Sequence, residues 1–251
     1  MRTIILCGGR GTRYSEITKE IPKPLIKVID RSLVEHIFNI YIDYGFNDFI
    51  LATGYKHEYF KEFFWKKYFL SGDLTLANGS VFTTEMPKYT LSILDTGLET
   101  GTGGRIKRVS DKIGDLLGDR FFLTYGDSGA EIDINKLLTQ HKSSGKMVTL
   151  TLVKTRSNFG SVRVDKLDGT ITEFSEKPMN SFLVNGGFMV MESSIIEQLD
   201  NNCNLEVDIF PKLVEKGLIG GYIHDDYWWK IDTAKDHEEV EKYLAKTRLN
   251  D

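Results

Sequence analysis

The chain has 251 residues, of which 41% are hydrophobic and 27% charged, and its formal net charge is −4. This is the composition of an ordinary globular protein, with room for one large α/β domain or two small ones. The charge balance provides no broad positive field for nucleic acid, and no apolar run approaches the roughly 20 residues that span a bilayer. Cys7 and Cys203 are the two cysteines and lie far apart, so a disulfide framework is not expected.

The first apolar run, Thr3-Ile-Ile-Leu6, predicts a strand at the start of the chain and leaves no room for a signal peptide. We therefore expect a cytoplasmic protein with neither a membrane nor a nucleic-acid partner. Further strands are predicted at 48–53, 91–94, 120–125 and 146–153, and helices at 32–44, 57–68, 103–117 and 134–144. This alternation favours an α/β fold with a doubly wound, mostly parallel sheet.

The segment 159–191 differs from this rhythm, because Gly and Pro break it into short β-rich runs at 161–164, 171–174 and 184–190. It predicts a small β-rich region that covers one edge of the pocket. Helices are predicted again at 207–216 and 234–246. The sequence contains no Pro/Gly/Ser-rich linker and no internal repeat, which favours a single domain over residues 1–251.

A glycine-rich loop, Cys7-Gly-Gly-Arg-Gly-Thr-Arg13, follows the first strand directly. Such a loop can present backbone N–H groups to phosphate, although an ordinary strand-to-helix turn has the same composition. Its spacing matches neither a Walker loop nor a dinucleotide-binding fingerprint. Ile21-Pro-Lys-Pro24 follows, and its prolines prevent a long helix from starting there. Arg13 and Lys23 bring two cations to this region.

Two aspartates are candidate ligands for a hard cation such as Mg²⁺, which prefers oxygen ligands. Asp127 follows the predicted strand Phe121–Tyr125, and Asp232 precedes the last helix. Each has a structural alternative, a turn for Asp127 and a helix N-cap for Asp232. The pair is more informative than either residue, because Mg²⁺ on a nucleotide usually has one or two carboxylate ligands besides phosphate oxygens.

Loops at the carboxyl ends of parallel strands meet at one edge of a sheet, where ligands bind. Three segments are predicted to converge there: the Gly8 loop, Gly54-Tyr-Lys56 and Tyr125-Gly-Asp127. A basic cluster of Arg105, Lys107 and Arg108 stands beside Thr102-Gly-Gly104, with Lys107 expected on an exposed helix face.

Two further motifs follow in the β-rich region. Glu176-Lys-Pro178 suits an acceptor phosphate and hydroxyl, or else a solvated turn. Asn185-Gly-Gly187 suits close approach of a ligand, or else a β-bulge.

The five histidines lack metal-site spacing, and no nucleophile motif appears. Phosphoryl or nucleotidyl transfer needs no protein nucleophile, since positioning, charge neutralisation and a metal suffice.

The Gly8–Arg13 loop with Pro22-Lys-Pro24 resembles the signature of sugar-1-phosphate nucleotidylyltransferases. A closer similarity, to the glucose-1-phosphate cytidylyltransferase family, extends over nearly the whole chain. The motifs that carry it are Gly54-Tyr-Lys56, Asp95-Thr-Gly97, Thr102-Gly-Gly-Arg105 with Lys107-Arg-Val109, Tyr125-Gly-Asp127, Glu176-Lys-Pro178, Asn185-Gly-Gly-Phe188 and Ile231-Asp-Thr233.

The resemblance implies a Rossmann-like nucleotidyltransferase fold and an enzyme that joins CTP to a phosphorylated acceptor, typically glucose 1-phosphate, with release of pyrophosphate. It implies catalytic roles for Arg13 and Lys23 and Mg²⁺ binding by Asp127 and Asp232. The implied nucleotide-binding residues are Cys7, Gly8, Gly9, Gly11, Thr12, Thr102, Gly103, Gly104, Arg105 and Gly126. The implied acceptor-binding residues are Tyr125, Glu176, Lys177, Asn185 and Gly186. Relatives commonly form homo-oligomers, and the aromatic segment Tyr59–Phe69 is either an interface or a core helix.

The sequence departs from the family pattern mainly on the acceptor side. Leu183-Val184 replaces the family's tryptophan–isoleucine pair, and Ser128-Gly-Ala130 replaces a glycine-led sequence. Leu205–Pro211 is more similar to the broader superfamily. A polyol phosphate acceptor, such as a glycerol phosphate, is therefore an alternative, as is another nucleotide (UTP, dTTP or GTP). A catalytically inactive homologue that senses a nucleotide-sugar is a further alternative.

Overall fold

A computed structural model describes residues 1–11, 18, 20–68, 74–76, 81–85, 89–157 and 159–247. For residues 68, 74–76 and 81–85 it describes the backbone alone. Thr12 and Arg13, predicted to bind nucleotide and to act in catalysis, lie outside the described residues.

A nine-stranded sheet forms the centre of the molecule. The strands are β1 Thr3–Cys7, β2 Lys27–Val28, β3 Arg31–Ser32, β4 Asp48–Thr53, β5 Leu74–Leu76, β6 Val81–Glu85, β7 Thr90–Asp95, β8 Arg120–Tyr125, β9 Ser128–Ala130, β10 Val148–Arg156, β11 Ser161–Val164, β12 Ile171–Ser175, β13 Met179–Glu192, β14 Ile219–His224 and β15 Trp228–Lys230. The strand order in the central sheet is β14-β10-β13-β8-β1-β4-β7-β6-β5. The helices are α1 Leu33–Ile42, α2 His57–Tyr68, α3 Thr102–Ile113, α4 Ile134–Ser144, α5 Phe210–Glu215 and α6 Ala234–Thr247.

Strand β1 lies at the middle of the sheet, parallel to β4 and β8, and all of its residues are buried. It is buried on both sides because helices cover both faces of the sheet. Ile5 packs into a cluster with Phe38 of α1 and Phe60 of α2. Ile4, the preceding residue, packs into a second cluster, which includes Ile106 of α3. Successive side chains of a strand point to opposite faces, so the prediction of a doubly wound, mostly parallel sheet is confirmed.

The β-rich region differs from its prediction. Strand β13 was expected at 184–190 within a separate region, yet it spans 14 residues and lies in the main sheet, antiparallel to β8 and β10. Its inner part, 186–191, is buried between these neighbours, whereas 181–183 are exposed. Within the segment 159–191, β11 and β12 form a hairpin separate from the main sheet. Pro178 precedes this long strand, and Gly186 and Gly187 lie within its buried inner part without ending it.

Two helix predictions also need correction. The helix expected at 207–216 is a π-helical turn, Leu205–Ile209, followed by the short α5. Pro211, in the first turn of α5, lacks the N–H that a continuous helix would use there. The helix expected at 103–117 ends at Ile113, because Gly114 adopts a positive φ of 55° and a 3-10 turn follows.

The ribbon of β9 and β15 was not predicted, since three-residue strands show no periodicity. Trp229 anchors it in a core cluster with Ile26 and Val28. A Cβ at Gly129 would overlap the Trp229 ring, so the glycine allows the close packing. The ribbon places the segment from Lys230 to Asp232 over the carboxyl end of β8.

The aromatic segment in α2 is a core helix on one side. Phe60 and Phe64 are fully buried, while Tyr59 and Trp65 are exposed on the other side. None of the helices in the described part of the chain is both long and apolar enough to cross a membrane.

Candidate active site

A cavity of about 410 Å³ opens at the carboxyl ends of β1 and β8. Most of the predicted site residues within the described ranges line it: Cys7, Gly8, Gly9, Gly11, Lys23, Thr102, Arg105, Tyr125, Gly126, Asp127 and Asp232. The predicted convergence of loops is seen directly. Tyr55 N donates to Gly8 O at 3.3 Å, and Gly126 N donates to Leu6 O at 3.1 Å. Thr100, Asn204 and Lys230 also line the cavity and were not predicted.

Arg105 ties the loops at this edge together. Its side chain is buried, and the guanidinium donates to four backbone carbonyls and one hydroxyl. These acceptors, at 2.8–3.3 Å, are Gly8 O, Thr53 O, Gly97 O, Leu98 O and Thr96 Oγ1. Burial lowers the pKa of Arg105 from its ordinary value. The contacts show that Arg105 holds the loop after β1 against the ends of β4 and β7, while its predicted contact with nucleotide stays a prediction.

Gly8→Ala is expected to lower the free energy of unfolding by about 1 to 3 kcal/mol, because an added Cβ would overlap the Arg105 guanidinium. Gly9→Ala is the matched control, since a Cβ there meets no atom within 4 Å. Urea unfolding followed by circular dichroism measures both variants. Equal stability of the two would show that Arg105 does not hold the loop in this position.

Gly103 and Gly104, at the start of α3, have a packing role. A Cβ at Gly103 would overlap Cys203 Sγ, at 2.5 Å, and one at Gly104 would overlap the carbonyl oxygen of Asn201, also at 2.5 Å. Gly104 N also donates to Cys203 O at 3.0 Å. These two glycines let the start of α3 lie against the segment 201–204, and neither lines the cavity. Lys107, as expected, pairs with Asp111 on the outer face of α3.

Lys23 is the central cation of the cavity. The prolines on either side limit the local structure to a three-residue 3-10 turn, Lys23–Leu25. The turn buries Lys23 to 7% exposure and directs its Nζ into the cavity. There it donates to Asp127 Oδ2 at 2.8 Å and to Asp232 Oδ1 at 2.7 Å. Asp127 and Asp232, which are 104 and 209 residues from Lys23 in the sequence, therefore both bond to its ammonium group.

Asp232 is not the cap of α6, which was the structural alternative for this residue. The α6 helix is capped by Thr233 and Asp236: Asp236 N donates to Thr233 Oγ1, and Thr233 N donates to Asp236 Oδ2. Burial would raise the pKa of Asp232, but the hydrogen bonds and charges of Lys23 and Lys230 outweigh it and lower that pKa to about 2. Asp232 is therefore ionised at neutral pH.

Asp127 and Asp232 fit a divalent cation in their chemistry. Two carboxylates that bond to one Nζ converge on a single point, and carboxylate oxygens are the ligands that Mg²⁺ prefers. Among the described residues, no three Asp, Glu, His or Cys side chains are grouped as a complete metal site. A cation held at this pair would take its other ligands from phosphate oxygens and water.

A chain of hydrogen bonds joins Thr102 to Tyr125 and Asn185, two of the residues predicted to bind the acceptor. Thr102 Oγ1 donates to Glu206 Oε2 at 2.6 Å, and Tyr125 OH donates to the other carboxylate oxygen of Glu206. Asn185 Nδ2 in turn donates to Tyr125 OH at 3.3 Å. Burial, together with Glu206, raises the pKa of Tyr125, so the phenol stays protonated. Glu206, in the π-helical turn, was not predicted, because its partners are distant in sequence.

The Asn185-Gly-Gly187 motif forms a β-bulge, which is the second of the two roles that its sequence suggests. The register of β13 against β10 shifts here, with Leu150 opposite Met189 but Leu152 opposite Asn185. Gly187 has a positive φ of 88°. The bulge turns Asn185 toward Tyr125, although neither Asn185 nor Gly186 lines the cavity.

Glu176 and Lys177 are not brought to the cavity. Both are exposed on the turn between β12 and β13, where Lys177 has a positive φ of 47°. Their predicted role in holding the acceptor stays a prediction.

Residues 2–247 match the model of the nucleotidyl transferase family. The chain belongs to the nucleotidyl transferase family. It is 39% identical to the probable glucose-1-phosphate cytidylyltransferase of Bacillus subtilis (strain 168), over 96% of this chain and 95% of that protein. It is 33% identical to the glucose-1-phosphate cytidylyltransferase of Salmonella typhi, over 98% and 96%. The predicted resemblance to this group of nucleotidyltransferases is thus confirmed.

A solved relative supports the fold. The crystal structure of HddC from Yersinia pseudotuberculosis superimposes with a TM-score of 0.68, at 22% identity, and covers 97% of this chain and 99% of that one. At this identity the likeness concerns the fold alone. The similarity of the two chains over nearly their whole lengths agrees with the sheet described above.

Proposed function

We propose that this nucleotidyltransferase transfers the cytidylyl group of CTP to a sugar 1-phosphate, with glucose 1-phosphate as the acceptor, and releases pyrophosphate. The observation that carries the proposal is the cluster of Lys23, Asp127 and Asp232 in the cavity beside the glycine-rich loop. The choice of CTP and glucose 1-phosphate comes from the cytidylyltransferases of Bacillus subtilis and Salmonella typhi, which cover nearly the whole chain.

In this reaction an oxygen of the acceptor phosphate attacks the α-phosphorus of CTP. The bond from that phosphorus to the bridging oxygen of the β-phosphate breaks, and pyrophosphate leaves with the bonding electron pair. The phosphate itself is the nucleophile, so no protein nucleophile is needed. Lys23 neutralises the charge that develops around the α-phosphorus. Gly8 and Gly9 give the phosphates close access to backbone N–H groups.

We propose Mg²⁺ as the cofactor, held by Asp127 and Asp232. When bound, it neutralises phosphate charge. In the structure, the ammonium groups of Lys23 and Lys230 form ion pairs with these carboxylates.

A panel of acceptors tests the proposal. Pyrophosphate release with CTP and Mg²⁺ is measured for glucose 1-phosphate, mannose 1-phosphate, glycerol 3-phosphate and no acceptor. The expected result is the highest kcat/KM with glucose 1-phosphate. Turnover with glycerol 3-phosphate and none with the sugar phosphates would contradict it and support the polyol alternative, which the changes at Ser128 and Leu183 motivate. No turnover with any acceptor would support the inactive-homologue alternative.

We also propose that the protein forms a homo-oligomer through the β11–β12 hairpin. Apolar side chains are unusually exposed on it and on the adjoining part of β13. They include Phe159 at 78%, Leu167 at 96%, Ile171 at 61%, Phe174 at 66% and Phe182 at 60%. A patch of this kind on a surface commonly marks a protein–protein interface.

The double substitution of Ile171→Ser with Phe174→Ser is expected to lower the oligomer's mass to that of a monomer, as measured by light scattering after size-exclusion chromatography. Loss of two apolar side chains from the interface removes the burial that would hold it together. Leu116→Ser, an exposed leucine outside the hairpin, is the control and should leave the mass unchanged. A wild-type monomer, or an unchanged oligomer in the double variant, would contradict the proposed interface.

A further inference from the structure

Lys230 is a second cation beside Asp127 and Asp232, and the proposed reaction gives this lysine no role. Its Nζ lies 3.1 Å from Asp232 Oδ2 and 3.9 Å from Asp127 Oδ2. Its side chain is 35% exposed, compared with 8% for that of Lys23. Lys230 therefore reaches the same carboxylates from the open side of the cavity, where a ligand can approach it.

The β9–β15 ribbon places Lys230 on the acceptor side of the cavity. Trp228 and Lys230 are two residues apart on β15, so their side chains point to the same face of the strand. Trp228 Nε1 donates to Gly186 O at 2.7 Å, which fixes that face against the bulge of β13. Lys230 itself pairs in register with Ser128, whose Oγ lies beside Gly187.

The acceptor phosphate needs a cation near the reacting centre. A phosphate monoester carries about one and a half to two negative charges at neutral pH. Lys23 is buried and bonded to both aspartates from the side of the glycine-rich loop, where the triphosphate would lie. Lys177, the lysine that the sequence suggests for the acceptor, is exposed on a turn outside the cavity.

We propose that Lys230 binds the phosphate of the acceptor and brings it to the α-phosphorus of CTP. An ammonium group has three donors, so it can keep its hydrogen bond to Asp232 while it donates to a phosphate oxygen. The ammonium group of Lys230 then offsets the repulsion between the negative charge on the attacking oxygen and the two aspartates. This inference rests on the proposed function, because it assigns one substrate of that reaction to one side chain.

The test compares Lys230→Met with the wild type. KM for glucose 1-phosphate is measured at saturating CTP, and the dissociation constant for CTP is measured by calorimetry without acceptor. The expected result is a rise of roughly tenfold to a hundredfold in KM for glucose 1-phosphate, as for loss of one hydrogen bond to a charged group. The dissociation constant for CTP should stay within about threefold. Lys230→Arg, which keeps the charge, should recover most of the acceptor affinity.

Lys235→Met is the matched control, because Lys235 is an exposed lysine of α6 that forms an ion pair with Glu239, one turn further along the same helix. Its constants should equal those of the wild type. An unchanged KM for glucose 1-phosphate in Lys230→Met would overturn the inference, and so would a loss that falls on CTP instead. If Lys230→Met does not fold, Lys230→Gln is measured in its place. A wild type that is inactive with CTP and every acceptor would instead overturn the proposed function.

Discussion

Lys23→Met is expected to lower kcat by about a hundredfold to a thousandfold, the usual effect of removing one preorganised group that stabilises a transition state. Lys23 is the buried cation of the cavity, with its Nζ at 2.8 and 2.7 Å from the two aspartates. Methionine fills a similar volume but leaves the developing charge on the phosphates without its partner. The measurement is steady-state pyrophosphate release at saturating CTP and glucose 1-phosphate.

The same substitution at Lys27 is the control, because Lys27 is exposed four residues further along the chain. It should retain wild-type kcat. Thermal unfolding of both variants separates a loss of chemistry from a loss of fold. A folded Lys23→Met protein with wild-type kcat would show that this lysine serves only to neutralise the aspartates.

Asp127→Asn is expected to abolish measurable turnover, with a loss of at least about a hundredfold in kcat. The amide keeps the shape of the side chain and removes one of the two negative charges that would hold Mg²⁺. It also leaves Lys23 with a single carboxylate partner, Asp232. Calorimetric titration with Mn²⁺ in the presence of CTP gives a second readout, in which the affinity of the site should fall together with kcat.

Asp43→Asn serves as the control, since Asp43 is an exposed residue at the end of α1. Both its kcat and its Mn²⁺ affinity should match those of the wild type. Full activity of Asp127→Asn would show that the metal assignment is wrong. A loss of kcat with unchanged Mn²⁺ affinity would show that other residues bind the metal and that Asp127 acts only as a partner of Lys23.

The sequence predicts the middle strands of the central sheet well because their signal is local, whereas β5, β6 and β14 near its edges were not predicted. Buried parallel strands are continuous apolar runs, and β1, β4 and β8 each lie within one residue of the predicted bounds. Short elements that depend on distant contacts were missed. The β9–β15 ribbon joins residues about 100 positions apart, with three residues in each strand, and no local pattern marks it.

The candidate site shows the same division. The glycine-rich loop and Asp127 are found from their places at strand ends, Lys23 from its place shortly after the loop, and Asp232 from its place before the last helix. Gly103 and Gly104 show why the rest is harder: glycine permits close approach of a ligand or of the protein's own backbone, and sequence does not distinguish the two. Here the backbone of 201–204 approaches. Likewise, an arginine expected to bind nucleotide, Arg105, donates to carbonyls of the protein.

Lys230 and Glu206 stood beside recognised motifs without being predicted. Lys230 is two residues before Asp232, but its distance from Asp127 depends on the ribbon that carries it. Glu206 gains its place from hydrogen bonds to Thr102 and Tyr125, which lie 104 and 81 residues away. A charged residue next to a motif becomes informative only when the fold supplies its partner.

The most direct test of the account is a competition among nucleotides. The protein is incubated with glucose 1-phosphate, Mg²⁺ and an equimolar mixture of CTP, UTP, dTTP and GTP, and the products are identified by mass spectrometry. We predict CDP-glucose as the dominant nucleotide-sugar, with one pyrophosphate released for each molecule formed. A dominant UDP-, dTDP- or GDP-glucose, or no nucleotide-sugar at all, would contradict it.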